Sequence, residues 1–454
     1  MPDLSIGAAF RLLADRAPRA VAVRCGEAVL TRAELDQRAT RLARRWIAHG
    51  LRVDDVVTIC LPNSPDFVVA TVAAWKAGAT PQPLSPRLPA RERVAVLELT
   101  APRVVVDGGL PAGIDGPDLP DLAASSWKAP TSSGSTGRPK VVRATDPARV
   151  DPDGTVAPFV PREAVQLVSG PLFHAAPFVY AFRGLMTGHE LVLLPRFDAG
   201  EWLRAVEDGA TWAVLVPATM HRILRHPRRA ATDVGSLARI LHLGARCAPW
   251  LKRAWIDWLG ADRVEELYAG TESQGLAFVG GREWLRRPGT VGRPLPGSRF
   301  RIARADGSPC GPGEVGEVLM RRDRPTYSYL GAEPVVRDGW HTLGDAGWCD
   351  EDGYLFLADR LDDVITSAGV AIAPAEVEAV LEEHPAVGSA VVVGRPDAER
   401  GQVVHAVVQG AVVEGQLREW VRTRLDPEKA PRSYEFVSEP PRDDTGKVRR
   451  SRWR

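Results

Sequence analysis

Ten residues in the first third of the chain, Thr131-Ser132-Ser133-Gly134-Ser135-Thr136-Gly137-Arg138-Pro139-Lys140, combine glycines, hydroxyls and a lysine. Glycines let backbone amides turn toward an anion, hydroxyls add short donors, and the lysine adds a charge, so the run suits the holding of a phosphate chain. The spacing is G-x-x-G-x-x-K, and Val141 follows the lysine where a Walker loop carries serine or threonine, which disfavours a P-loop NTPase or kinase. Taken alone, the same run also reads as a flexible linker. What else the chain carries decides between the two.

Four further groupings carry side chains that could do chemistry. Tyr268-Ala269-Gly270-Thr271-Glu272 places a ring, a hydroxyl and a carboxylate within five residues. Trp340-His-Thr-Leu-Gly-Asp345 ends on an aspartate, whose two acceptor oxygens suit a pair of hydroxyl donors. Asp359-Arg360-Leu361-Asp362-Asp363 is a charged run, and Pro441-Arg-Asp-Asp-Thr-Gly446-Lys447 ends on a lysine behind a glycine. A histidine, His174, stands among apolar residues in Pro171-Leu-Phe-His174-Ala-Ala-Pro-Phe178. Each has a plainer reading: a core tyrosine, a turn aspartate, a solvated charge run, a tail lysine, a satisfied core histidine.

The elements that must position these groups alternate between helix and strand. Thr31-Arg-Ala-Glu34 is a capping box, followed by Leu35, Ala39, Leu42 and Trp46 on one helical face and closed by Gly50. Val56 to Leu61 then reads as a buried strand, Phe67 to Trp75 as a helix, and the residues after Gly78 as a further strand, an order that implies a parallel sheet. Gly108 to Pro139 is rich in Gly, Pro, Ser and Asp and reads as a long surface connection. Central strands are expected at Leu191 to Leu194, Trp212 to Val216 and Ile240 to Leu243. Beyond Gly289, short strands between glycine turns predict an antiparallel or barrel-like part. A compact unit follows, with a helix at Ala375 to His384, a strand at Ala390 to Val393 and a helix near Gln416 to Leu425. The expected organisation is an α/β protein of mixed α/β and α+β character, with a large domain 1–361 and a small α+β domain 362–454.

Lysine plus arginine number 58 against 57 acidic residues, so no global field would attract nucleic acid or an anionic membrane. Five scattered cysteines, none in a C-x-x-C pair, argue against a disulfide framework or a zinc site. With no secretion signal and no apolar run of membrane-spanning length, the expectation is a cytoplasmic protein without membrane insertion.

The ordered set of motifs resembles the adenylate-forming superfamily of acyl-CoA synthetases, adenylation domains and luciferases, over nearly the whole chain. The resemblance implies that Ser132, Ser133, Gly134, Ser135, Thr136, Gly137 and Lys140 hold the triphosphate of ATP. It implies that Tyr268 stacks on adenine, that Gly244, Ala245, Ala269 and Gly270 also line the nucleotide, and that Thr271 meets the α-phosphate and Glu272 a Mg2+ ion. Asp345 and Arg360 would bind the ribose and nucleotide oxygens, Asp362 would be the hinge of a mobile C-terminal cap, and Lys447 would reach the acyl carboxylate and the α-phosphate. His174 would border the acyl site, and Gly369 a tunnel for the pantetheine arm of coenzyme A. Pro288-Gly-Thr-Val-Gly-Arg-Pro294 and Gly313-Glu-Val-Gly-Glu317 match family elements that read as structural turns.

The implied activity is an acid–CoA ligase acting through an acyl-adenylate, with a carboxylic acid, ATP and CoA as partners and a homodimer left open. His174 with Asp198, Leu243-Gly244-Ala245 and Pro374 to Glu378 looks most like the branch of bile-acid and terpenoid CoA ligases, which implies a bulky hydrophobic acid. Ala269, Arg246, Ala368 and Ala371 depart from that branch, where glycine, proline, glycine and asparagine are usual. The first two bear on adenylation and the last two on thioester formation. Retention of only the second half-reaction, or loading of a separate carrier protein, are the alternatives. The basic end, Arg449, Arg450, Arg452 and Arg454, reads as a solvated tail or as a contact for CoA phosphates.

Overall fold

The computed structural model describes residues 3–133, 139–442, 446, 448 and 450–454. Its N-terminal domain is organised by a twisted sheet in which Val21–Cys25, Glu190–Leu193, Val165–Val168, Trp212–Leu215, Arg239–Leu243 and Val264–Ala269 lie side by side and parallel. The direction reverses at Leu276–Gly280, which pairs antiparallel with Val264–Ala269. From there the glycine-punctuated strands continue the same hydrogen-bonded sheet, through Thr290–Pro294, Leu355–Arg360, Trp340–Cys349, Gly316–Arg322 and Ser298–Ala303. Pro288 to Pro294 is therefore mainly a strand and not a turn. Gly292 (φ +96°) sits at its irregularity, where an added Cβ would fall on the Phe278 carbonyl.

The capping-box helix spans Arg32–Ala48; Glu34 N donates to Thr31 Oγ1 at 3.2 Å and Thr31 N to Glu34 Oε2 at 2.8 Å. Its predicted face, Leu35, Ala39, Leu42 and Trp46, is buried. The expected strand–helix–strand unit is present as Val56–Ile59, Pro65–Lys76 and Thr80–Pro83, with the strands parallel. Every residue of Phe67 to Lys76 is buried, so this helix runs through the core. Trp75 stands edge-on to Phe182 (5.1 Å between ring centroids), and its Nε1 donates to the Trp127 carbonyl at 2.8 Å. Trp127 in turn packs 6.2 Å from Phe178. The end of the segment read as a surface connection is thus core, with Ser126, Trp127, Lys128 and Ala129 all buried. Its apolar and aromatic residues outweigh its glycine and serine content, and they pin the start of the glycine-rich loop to the helix Ala175–Leu185.

The C-terminal domain is a sheet of Ile365–Ser367, Val370–Ile372, Val387–Asp397, Gly401–Gly410 and Ser433–Val437 with helices Pro374–Glu383 and Glu414–Arg422. Its own core holds Ile372, Val377, Leu381, Val392, Val408 and Leu417. The hairpin between its first two strands turns through Ala368 (φ +49°) and Gly369 (φ +84°). Positive φ at both turn positions suits the twist of a two-residue hairpin, but alanine pays about 1 kcal/mol for it. Ala368→Gly is expected to raise stability by about 0.5 kcal/mol after the extra chain entropy of glycine. A lower urea midpoint for that variant would show that the alanine carries no strain.

Candidate active site

The candidate residues converge because they follow the carboxyl ends of neighbouring parallel strands. His174 comes after Val165–Val168, Ala218 after Trp212–Leu215, Gly244 and Ala245 after Arg239–Leu243, and Tyr268 to Glu272 close Val264–Ala269 at the strand where the sheet reverses. Crevices outside such strand ends are where open α/β sheets bind ligands.

Tyr268 and Asp345, 77 residues apart, are brought together: the tyrosine hydroxyl donates to Asp345 Oδ2 at 2.7 Å. Burial, together with the Asp345 carboxylate, pushes the Tyr268 hydroxyl well above its usual range, so it remains a protonated donor. Asp345 also stands opposite Arg360 in the antiparallel pair of Trp340–Cys349 with Leu355–Arg360. The exposed Arg360 guanidinium rests on the Leu343 carbonyl at 2.5 Å. An added Cβ at Gly270 would lie 2.5 Å from Leu343 Cδ1 and 2.9 Å from Glu272 Oε2, so a side chain there would require both side-chain ends to shift.

Glu272 is 5% exposed, and its Oε1 accepts from Lys140 Nζ at 3.3 Å and from the Tyr329 hydroxyl at 2.5 Å. Lys140 also donates to the Tyr329 hydroxyl at 2.8 Å. Burial, and then the Glu272 carboxylate, push the Tyr329 hydroxyl up. Tyr329 was not foreseen in the sequence; it arrives because Tyr327–Leu330 pairs with Pro139–Ala144, the strand that carries Lys140. Lys128 was also missed. Its buried ammonium lies 3.5 Å from the Thr271 carbonyl, and burial, helped by Arg183, pulls it down to about 8. A lysine just before a serine-rich loop carries no sequence signal of burial.

Glu272 offers a hard carboxylate donor. Among the described residues no group of three or more His, Cys, Asp or Glu side chains could hold a metal. That donor set fits Mg2+ in its usual mode, one or two carboxylates completed by substrate phosphates and water.

The strands Thr131–Ser133 and Pro139–Ala144 pair antiparallel and bracket the glycine-rich loop, with Ser132 opposite Lys140 and Ser133 opposite Pro139. Gly134, Ser135, Thr136 and Gly137 lie outside the described residues, as does Lys447. Gly446, which precedes that lysine, is described. A Cβ built on it would stand 3.7 Å from Ala218 Cβ and 3.8 Å from Ala245 Cβ, so the C-terminal tail reaches the ends of two central strands. His174 is half-buried at the start of helix Ala175–Leu185, its ring tilted on Phe173 at 4.8 Å. Asp362, in the turn Leu361–Asp363, and Gly369, in the turn after Ile365–Ser367, are exposed.

The basic end is not a solvated tail. Arg450 is ion-paired with Glu378 (2.6 Å) and Asp363 (3.2 Å), Arg454 pairs with Asp363 (2.6 Å), and Arg442 also reaches Glu378. Burial alone would raise the Glu378 carboxyl, but Arg442 and Arg450 outweigh it and hold it below the usual range. Arg452 lies on the ring of Trp453. Arg449 is outside the described residues.

All five cysteines are free, and among the described residues no helix is long and apolar enough to cross a membrane. Residues 10–125 and 129–330 match the AMP-binding enzyme family, and residues 376–447 match the AMP-binding enzyme C-terminal domain. The chain is 34% identical to a feruloyl-CoA synthase of an Amycolatopsis species, over 96% of this chain and 95% of that protein. It is 31% identical to the 2-succinylbenzoate–CoA ligase of Bacillus licheniformis, over 96% and 97%. Its fold is similar to that of o-succinylbenzoate CoA synthetase from Bacillus subtilis, solved with an acyl-adenylate intermediate. There the TM-score is 0.83 at 25% identity, covering 100% of this chain and 99% of that one. With family matches across most of its length and a relative 34% identical over nearly the whole of both chains, the chain belongs to the AMP-binding enzymes, as a member of the AMP-forming acid–CoA ligases.

Proposed function

We propose that the protein joins a bulky hydrophobic carboxylic acid to coenzyme A in two half-reactions, with residues 362–454 acting as a cap that moves between them. The observation that carries this reading is the seating of Gly446 against Ala218 and Ala245, after the two strands next in line to the one that ends on Tyr268, Thr271 and Glu272. A carboxylate, ionised at neutral pH with a reference pKa near 4, needs no general base to attack the α-phosphorus of ATP. Its barrier is charge crowding, so positioning and cations do the catalysis. Pyrophosphate leaves and an acyl-adenylate remains; a thiol then attacks its carbonyl, and AMP departs.

In this reading Tyr268, Gly244, Ala245, Ala269 and Gly270 receive adenine, and Asp345 and Arg360 the ribose and nearby oxygens. Thr271 meets the α-phosphate, while the loop Ser132 to Gly137 and Lys140 hold the outer phosphates. Lys447 bridges the acyl carboxylate and the α-phosphate. Bound at Glu272, Mg2+ would supply Lewis-acid neutralisation of the phosphates. His174 borders the acyl group, Asp362 takes up the rotation of the cap, and Gly369 lines the approach of the pantetheine thiol.

Behind these strand ends lies a packed apolar cluster of Phe159, Leu241, Leu243 and Leu267 with Ala176 and Tyr180 of the helix after His174, and the bulky hydrophobic acid is inferred from the family resemblance around His174. Relatives named for feruloyl and succinylbenzoate substrates add aromatic acids to the range, alongside the polycyclic acids of the bile-acid and terpenoid branch. The Ala269 methyl packs on that same apolar cluster, and Arg246 is exposed beyond the strand end. Neither favours loss of adenylation. The test is a panel of aromatic, polycyclic and fatty acids, each offered with ATP, Mg2+ and CoA and as its preformed adenylate, scored for pyrophosphate and thioester. Both products are expected from at least one bulky acid. Thioester from adenylates but never from ATP would reduce the enzyme to its second half-reaction, and thioester on a carrier-protein thiol but not on CoA would replace the acceptor.

A further inference from the structure

The half-buried guanidinium of Arg225 stands just past the end of helix Pro217–Leu224 in the N-terminal domain and reaches the end of helix Pro374–Glu383 in the C-terminal domain. It donates to three backbone carbonyls there: Glu382 at 2.8 Å, His384 at 3.0 Å, and Pro385. The last carbonyls of a helix lack partners within it and carry the negative end of its dipole, so a cation with a fork of donors matches them. Trp250 adds a fourth contact from the same side, its Nε1 donating to the Ala379 carbonyl at 3.1 Å. All four donors belong to one domain and all four acceptors to the other.

The other end of the same helix, at Ala218, meets Gly446. Seven residues at about 1.5 Å each separate Ala218 from Arg225, so the two contacts are only about 10 Å apart along the helix. One rigid element therefore fixes the cap at two points: at the glycine before Lys447 and at the end of the cap's first helix. A rotation that carries Gly446 away from Ala218 must also strip the carbonyls of Glu382, His384 and Pro385 of the Arg225 guanidinium.

We propose that Arg225 is a positioning residue for acyl-adenylate formation, a latch that holds the cap in the orientation presenting Lys447 and that must release before the thiol attacks. This rests on the two-step reading above. It adds a residue that touches neither nucleotide nor acid and acts on one half-reaction alone. Arg225→Ala removes three charge-assisted hydrogen bonds, so acid-dependent pyrophosphate release is expected to fall about ten-fold or more, while thioester formation from a preformed adenylate stays within about two-fold of the parent. Arg225→Lys, a point charge unable to span three carbonyls, should fall between the two, and Trp250→Phe should give a smaller loss of the same kind.

The split between half-reactions is the readout that a merely structural role would not move. Equal losses in both, or no loss in the first, would overturn the latch. A second measurement does not depend on the reaction: amide hydrogen exchange of residues 379–386 and 217–225 should accelerate in Arg225→Ala at an unchanged melting temperature, and unchanged exchange would likewise overturn it. A parent enzyme inactive in both half-reactions on every acid would instead sink the proposed function, leaving the exchange result to decide the latch.

Discussion

Lys447→Ala is expected to lower acid-dependent pyrophosphate release by about 10²- to 10³-fold while leaving the conversion of a preformed acyl-adenylate to its thioester near the parent rate. The magnitude is that of removing one preorganised group aimed at charge developing in a transition state. In the proposed first half-reaction an anionic carboxylate approaches an anionic phosphate, and the Lys447 ammonium would relieve a repulsion that no base can. In the second, the carbonyl is already activated and a thiol is the nucleophile, so the same ammonium has nothing to relieve. Gly446, the residue before Lys447, is seated on Ala218 and Ala245, which is the reason to place the lysine's work at these strand ends. Following both half-reactions separately, with pyrophosphate release in one assay and thioester in the other, tests it. Equal activity of mutant and parent in the first assay would remove Lys447 from the chemistry.

Glu378→Ala should destabilise the C-terminal domain by about 3–5 kcal/mol. The carboxylate is 4% exposed and lies between Arg442 and Arg450, which flank Gly446 in sequence. Its removal leaves two largely buried guanidinium groups without their shared anion, and one of its oxygens also accepts from the Val392 amide at 2.9 Å. Thermal or urea unfolding measures the loss. Glu378→Gln keeps the volume and an acceptor and should cost less, while still loosening the tail and lowering pyrophosphate release more than thioester formation.

The pH dependence has a definite sign. The folded carboxyl of Glu378 titrates below its unfolded value. Its contribution is therefore present in full above the unfolded value, near 4.3, and is lost as pH falls through the lower folded value. The stability gap between parent and Glu378→Gln should narrow in that acid window. A gap independent of pH from neutrality down to pH 2 would show that charge at this site is unimportant.

Much of the local structure was legible in the residues alone. The capping box at Thr31 and Glu34, the strand–helix–strand unit after it and the change of texture beyond Gly289 depend on short-range rules of capping, periodicity and turn chemistry, and these the structure repeats. The end of the Gly108–Pro139 segment was misread because composition describes an average, whereas Trp127 and its neighbours bury themselves individually. The Arg450 pairing was missed for a different reason: its partner Glu378 is 72 positions away, and a run of arginines carries no mark of a distant carboxylate.

By itself the sequence determined which groups are available, a loop of glycines, hydroxyls and a lysine, a tyrosine, a threonine, two carboxylates and Lys447, because residue type and close spacing set what chemistry a group can do. Only the tertiary structure decided that Tyr268 meets Asp345 and that Tyr329 joins Lys140 on Glu272 across 189 residues. It also decided that one short helix touches the cap at both ends. These follow from strand pairing and domain docking, in which the free energy is spread over many buried contacts distant in sequence, and no local pattern records which partners those contacts will select.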